Sequence, residues 1–145
     1  MGIVKKFYDE NVLPHLINCA CNNKASNVQR SIIVPKVSGT VLEIGFGSGL
    51  NLPFYNKDKV HHLWALEPSK KLLQLAKRNI KNTSFSMDIL NCFAEDIPLP
   101  NDSVDNVLIT YTMCTIVEPI KANIEIGRVL KKNGNLLFCE HWIAT

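Results

Sequence analysis

The 145-residue sequence has no apolar run near the ~20 residues needed to cross a bilayer, and its first residues lack a basic segment, an apolar core and a small-residue cleavage site. Neither a spanning helix nor a secretory leader is expected, and a cytoplasmic setting follows. Its five cysteines, Cys19, Cys21, Cys92, Cys114 and Cys139, form no C-x-x-C pair, so the usual signs of a zinc site or a disulfide framework are missing. They read as reduced thiols, most of them buried. Charge of one sign is scarce as well: the formal net charge is +3, and the densest basic pairs are Lys5-Lys6, Lys70-Lys71 and Lys131-Lys132. With no basic stripe interleaved with aromatics, nucleic acid is not an expected partner. A surplus this mild permits peripheral contact with anionic lipid headgroups without requiring it. Internal repeats and low-complexity stretches are also absent.

What is present fits one soluble domain, since 46% hydrophobic and 20% charged residues over this length supply one compact core and too little chain for two. Residues 1–38 are expected to form a helical cover and residues 39–145 the core. In the cover, Val4, Phe7, Tyr8, Val12, Leu13, Leu16 and Ile17 recur at helical spacing, with an interruption at Pro14. A polar break from Asn22 to Ser26 precedes a short helix from about Asn27 towards Pro35. Strands are predicted at Thr40–Ile44, Val60–Leu66, Ser84–Leu90, Val104–Thr110 and Asn135–Glu140. Helices are predicted after Pro68-Ser69, with Leu72, Leu73, Leu75, Ala76 and Ile80 as the apolar face, and over Ile120–Leu130, stopped by Lys131-Lys132-Asn133-Gly134. Strands and helices alternating at this spacing imply an α/β fold with a doubly wound parallel sheet and right-handed crossovers; the expected sheet is Rossmann-like, with five strands in the order 3-2-1-4-5.

The chemistry concentrates after the first strand. VLEIGFGSG, from Val41 to Gly49, places Gly45, Gly47 and Gly49 at alternate positions, so the chain turns sharply and a ligand can approach its backbone. A dinucleotide loop needs a third glycine where this chain has Leu50, and a phosphate-binding P-loop needs a lysine that does not follow. Glu67 ends the second strand about 20 residues past the middle glycine, where a Rossmann-like fold holds ribose hydroxyls on a carboxylate. Glu43 is an acid inside an otherwise apolar strand; it needs partners there and is a candidate to orient the glycine loop through backbone amides. Tyr111, Cys114 and His141 lie just beyond strand ends, where ligand crevices form, and Tyr8 is a candidate cover. Cys114 reads as packing rather than a nucleophile. Asp102 to Asp105 reads as a structural polar turn.

The motifs VLEIGFGSGLNLPFY, ALEPS, AEDIPLPNDSVDNVLITYTMCTI and RVLKKNGNLLFCEH run in order from Val41 to about Glu140. In this the chain resembles the class I S-adenosylmethionine-dependent methyltransferases of the type 11, quinone-biosynthesis-like group. TYTMCTI, LLFCEH and the early NVLPHLI are most similar to a branch of thiol methyltransferases and bacterial phospholipid methyltransferases. The resemblance implies S-adenosylmethionine as cofactor. It implies that Gly45 and Gly47 line its methionine part, that Glu67 binds the ribose, that Ala94 and Glu95 flank the adenine and that Thr110 sits at the methionine end. Where many relatives carry Asp before the alanine this chain has Phe93, so adenine recognition is expected from backbone groups, Glu95 or Asp96.

The implied function is methyl transfer to a small or lipophilic acceptor: a thiol, a quinone precursor or a phospholipid. No obligatory catalytic residue is required; His141 is the one candidate base for a thiol acceptor. The resemblance also implies a sixth and seventh strand that this chain lacks. That leaves either a shortened product, whose alternative function is a non-catalytic remnant or interaction module, or a fifth-strand edge covered by another subunit such as a second copy. A nicotinamide oxidoreductase is disfavoured by Leu50.

Overall fold

The computed structural model describes residues 22–140. It contains helix α1 (Lys24–Ile33), strand β1 (Gly39–Ile44), strand β2 (Val60–Leu66), helix α2 (Lys70–Lys81), strand β3 (Ser86–Leu90), strand β4 (Val104–Thr110), helix α3 (Pro119–Val129) and strand β5 (Leu130–Cys139). The five strands form one parallel sheet in the order β3-β2-β1-β4-β5. From β1 the chain adds β2 and β3 on one side and then crosses to add β4 and β5 on the other, and this switch point between β1 and β4 opens a crevice at the carboxyl ends of the strands.

β1 and β4 are covered on both faces, which is why they read as near-continuous apolar runs. On one face Leu42, Ile44, Val107 and Ile109 pack with Ala122, Ile126 and Val129 of α3. On the other, Val41, Leu63, Ala65 and Leu108 pack with Val34, Val37, Leu52, Tyr55 and Ala76. Side chains alternate along a strand, so Glu43 projects to the second face together with Val41. Only a short 3₁₀ turn, Leu52–Phe54, stands between β1 and β2.

Most boundaries fall within two residues of expectation, β3 starting at Ser86 rather than Ser84; two differ by more. α1 begins at Lys24, inside the expected polar break, because the Asn23 side chain accepts a hydrogen bond from Ser26 N (2.9 Å) and caps the first turn. It ends before the 3₁₀ turn Val34–Lys36, which takes in Pro35. The second difference is at Lys131–Gly134, which does not separate helix from strand. α3 stops at Val129, Leu130 is already extended and pairs with Val104, and residues 131–134 bulge out opposite Asp105 before Asn135 pairs with Asn106. The Lys131 ammonium on Asp105 Oδ1 (2.7 Å) holds this bulge, and Asp105 Oδ2 also accepts Thr40 N (2.8 Å). The polar turn before β4 is structural in this sense, tying the starts of β1, β4 and β5 together.

The 91–103 connection from β3 to β4 has no helix and is anchored to α3. Arg128 donates to Ile97 O (2.8 Å) and Leu99 O (2.7 Å), while Glu125 accepts Ile97 N (2.9 Å). Among the described residues β5 is an edge strand of the sheet, with Leu136 and Phe138 exposed. The 1–21 part of the expected helical cover, Tyr8 included, and His141 lie outside the described residues. Asn23→Ala is expected to cost about 1 kcal/mol of stability in urea unfolding, and Asn23→Asp only a few tenths.

Candidate functional site

The turns that follow β1, β2 and β4 converge at the switch point around a cavity of about 310 Å³. Gly45 N and Phe46 N both donate to Leu66 O (3.0 Å each), which folds the glycine loop over the end of β2. Gly45 and Gly47 have φ of +74° and +58°. At Gly45 a side chain is excluded twice: the backbone is left-handed, and a Cβ would overlap the Thr112 side chain. Gly49 does not line the cavity; it packs behind the loop against Leu52 and Phe46.

Glu67 is 5% exposed and lines the cavity. Its Oε2 accepts Gly47 N (2.9 Å) and its Oε1 accepts Ser69 N (2.8 Å), in front of α2, whose first turn Ser69 caps. Burial raises its pKa and the two amides pull it down. An ionised carboxylate has about four acceptor positions, so two remain for hydroxyl donors.

Glu43 does not orient the glycine loop through backbone amides; that role falls to Glu67. Its Oε1 accepts Asn51 Nδ2 (2.9 Å) and its Oε2 accepts the Tyr55 hydroxyl (2.6 Å). Asn51 also donates to Thr110 Oγ1 (3.0 Å) and accepts Arg30 Nε (3.1 Å). One amide thereby joins β1, β4 and α1. The reason for the exchange of roles is direction: Glu43 projects from the strand face, whereas Glu67 sits past the end of β2, level with the loop. Burial pushes the Glu43 pKa up to about 7, opposed by its hydrogen bonds and by the charge of Arg30.

The third wall comes from the end of β4 and its adjoining turn. Tyr111 has φ of +56°, a conformation uncommon outside glycine, and is held by its N–H on Cys139 O (2.8 Å) and its hydroxyl on Gln29 Oε1 (2.6 Å). The Arg30 guanidinium lies 4.9 Å above its ring. Glu140 Oε1 then accepts the amides of Thr112 (2.9 Å) and Met113 (3.1 Å), setting the turn that touches Gly45. Thr110, Tyr111, Ala94 and Glu95 all line the cavity, as does Phe93, which is 62% exposed at its rim. Glu95 Oε1 accepts Glu118 N (3.0 Å) at the start of α3, and that bond is the main cause of its lowered pKa. Cys114 is exposed on a 3₁₀ turn and does not line the cavity.

Sequence reasoning missed Arg30, Asn51, Thr112 and Glu140. A signal existed for Asn51 and Tyr55, because a buried acid needs donors and NLPFY offers both within 12 positions of Glu43. None existed for Arg30, which α1 brings from outside the core motifs.

An open parallel sheet with a glycine loop, an acid after β2 and a cavity at its switch point defines a small-molecule-binding α/β domain. A family model described as a methyltransferase domain matches residues 42–138, and the chain belongs to that family. It is similar to the thiol S-methyltransferase TMT1B of Rattus norvegicus, 32% identical over 104 residues, covering 70% of this chain and 42% of the relative. The ubiquinone/menaquinone biosynthesis C-methyltransferase UbiE of Campylobacter jejuni is 30% identical over 103 residues (71% and 40%). The phosphatidylethanolamine N-methyltransferase of Cereibacter sphaeroides is 24% identical over 106 residues (72% and 51%). The chain therefore spans about half or less of the length of these relatives. Among solved structures, a SAM-dependent methyltransferase from Aquifex aeolicus superposes with a TM-score of 0.64 at 23% identity, covering 81% of this chain and 67% of that one. It shares the fold.

Because Glu43 holds a proton more tightly folded than unfolded, its contribution to stability is complete below pH 4.5 and is lost as pH rises through about 7. Relative to Glu43→Gln, wild-type stability should fall by roughly 2–3 kcal/mol between about pH 4.5 and 8 in urea unfolding; a pH-independent difference would contradict the assignment.

Proposed function

We propose that the chain is the cofactor-binding core of an S-adenosylmethionine-dependent methyltransferase acting on a small or lipophilic acceptor. The observation that carries this reading is Glu67: a buried carboxylate with lone pairs to spare, placed beside Gly47 in a cavity of ligand size. The lining suits an amphipathic nucleoside, with Leu50, Leu72, Phe93, Ile116 and Val117 as apolar walls.

Glu67 would accept the ribose hydroxyls, and the backbone at Gly45 and Gly47 would line the methionine portion, with Thr110 and Tyr111 beyond it. Ala94 and the ring of Phe93 would flank the adenine. Glu95 Oε1 braces the start of α3, so base recognition would fall on its remaining acceptor positions, on backbone groups and on the face of Phe93. Bound there, the cofactor supplies a methyl group already activated by a sulfonium, so neither a covalent enzyme intermediate nor a redox partner is needed. The protein's part is to hold the acceptor in line and keep water out. Among the described residues we assign no general base.

The acceptor class draws support from relatives whose names specify a thiol, a quinone and a phospholipid. The exposed Phe93 and Val117, both lining the cavity, offer an apolar rim to such a molecule or to a lipid surface. No helix among the described residues is long and apolar enough to cross a membrane. The free thiols Cys92, Cys114 and Cys139 support a cytoplasmic setting, and the exposed β5 edge supports a second copy or another subunit as its cover.

Calorimetric titration with S-adenosylhomocysteine should give micromolar affinity, about −7 to −8 kcal/mol, with no binding of NAD. Glu67→Ala should weaken it by about 30-fold or more. Gly47→Ala should weaken it comparably, because the φ of +58° disfavours a side chain and Gly47 lines the cavity, where an added methyl group would stand beside the ligand. A folded wild-type chain that does not bind would overturn the reading.

A further inference from the structure

The outward side of α3 is apolar where a surface helix is normally polar. Ala122, Ile126 and Val129 form the stripe that α3 lays on the sheet. With about 3.6 residues per turn, Ile120 and Ile124 fall on the opposite side, and they are 78% and 66% exposed. A helix that is apolar on both sides is expected only where both sides are covered. The outer stripe begins beside the cavity: Val117, just ahead of the helix, is 80% exposed and lines the cavity, as does the exposed Phe93. The bond from Glu118 N to Glu95 Oε1 ties the segments carrying these two residues together.

We propose that Phe93, Val117, Ile120 and Ile124 form a docking surface for a lipid bilayer, which seats the cavity mouth against the phase that holds the acceptor. The inference rests on the lipophilic-acceptor reading above and names the source from which that acceptor enters. Two observations favour a bilayer over a protein as the cover. An 11-residue helix is about 16 Å long, too short by itself to supply the roughly 800 Å² per partner of a stable protein interface. A protein seated on Phe93 and Val117 would also close the cavity that both residues line, whereas a bilayer dissolves the acceptor and leaves the entrance open to it. Lys121 pairs with Glu118 (3.7 Å) and Arg128 with Glu125 (2.7 Å), so the charges beside the stripe balance. Docking is therefore by shallow apolar insertion rather than by attraction to anionic headgroups.

Cosedimentation of the full chain with phosphatidylcholine vesicles reads docking, and calorimetry with S-adenosylhomocysteine reads the cavity in the same preparation. Wild type should partition onto these vesicles with less than about twofold change between about 0.1 and 0.5 M salt. Ile120→Glu and Ile124→Glu should each lower partitioning by about tenfold or more. Neither residue lines the cavity, so S-adenosylhomocysteine affinity should stay the same in both variants, which also shows that they fold. Ile124→Leu should dock like wild type. Partitioning that persists in both glutamate variants, or that needs anionic lipid and disappears in high salt, would overturn the inference. A wild type that binds S-adenosylhomocysteine but not vesicles would overturn it and leave the cofactor reading intact; if that wild type is also a dimer that Ile124→Glu dissociates in light scattering, the face belongs to a second copy. Vesicle binding without S-adenosylhomocysteine binding would overturn the cofactor reading and, with it, the delivery of an acceptor.

Discussion

A carboxyl group in the middle of a parallel sheet has no water to turn to, and the satisfaction of Glu43 organises much of what surrounds it. Its two oxygens draw Asn51 and Tyr55 inward from the segment after the glycine loop, which fixes where that segment runs. Asn51 then passes the constraint outward, to Thr110 on β4 and to Arg30 on α1. Replacing one of these groups leaves another buried and unsatisfied, so they behave as a unit rather than as separate contacts.

A second set of restraints acts on the loops above the sheet. Glu67 draws the glycine loop towards the N-terminus of α2, and Glu140 draws the turn after β4 towards β5. Thr112 on that turn occupies the space a side chain at Gly45 would need. The cavity is the volume these carboxylates hold open between loops, and its walls are largely backbone and aliphatic surface. Backbone strain at Tyr111 sits in the same place, secured by Gln29 and Cys139. Residues held in uncommon conformations beside a cavity are expected where geometry serves a ligand rather than the fold.

Val60–Leu66 and Val104–Thr110 match their expected bounds residue for residue; burial on both faces writes the apolar run Val107–Ile109 into β4, whereas β2 is marked by its apolar carboxyl-terminal half after the more exposed His61 and His62. α2 was legible from its cap and its amphipathic face. Lys131–Gly134 misled because a turn-forming composition serves equally well in a bulge, and only the pairing of Leu130 with Val104 places β5's start ahead of it. For the site, Gly45, Gly47 and Glu67 could be read from their spacing relative to strand ends. The partners of Glu43 and Glu95 could not, since an acidic residue in a sequence shows that donors are needed and not which ones arrive.

The sequence by itself determined the alternation of strands and helices, the position of the glycine loop, the acid at the end of β2 and the family, because each rests on local periodicity or on motifs contiguous along the chain. Only the tertiary structure decided that Glu67 rather than Glu43 braces the loop, that Glu95 accepts the amide at the start of α3, and that Arg30 enters the cavity from outside the core motifs. Those assignments depend on which side chains meet across distances of 20 or more positions. Such meetings are set by how strands and helices stack, which no local pattern encodes.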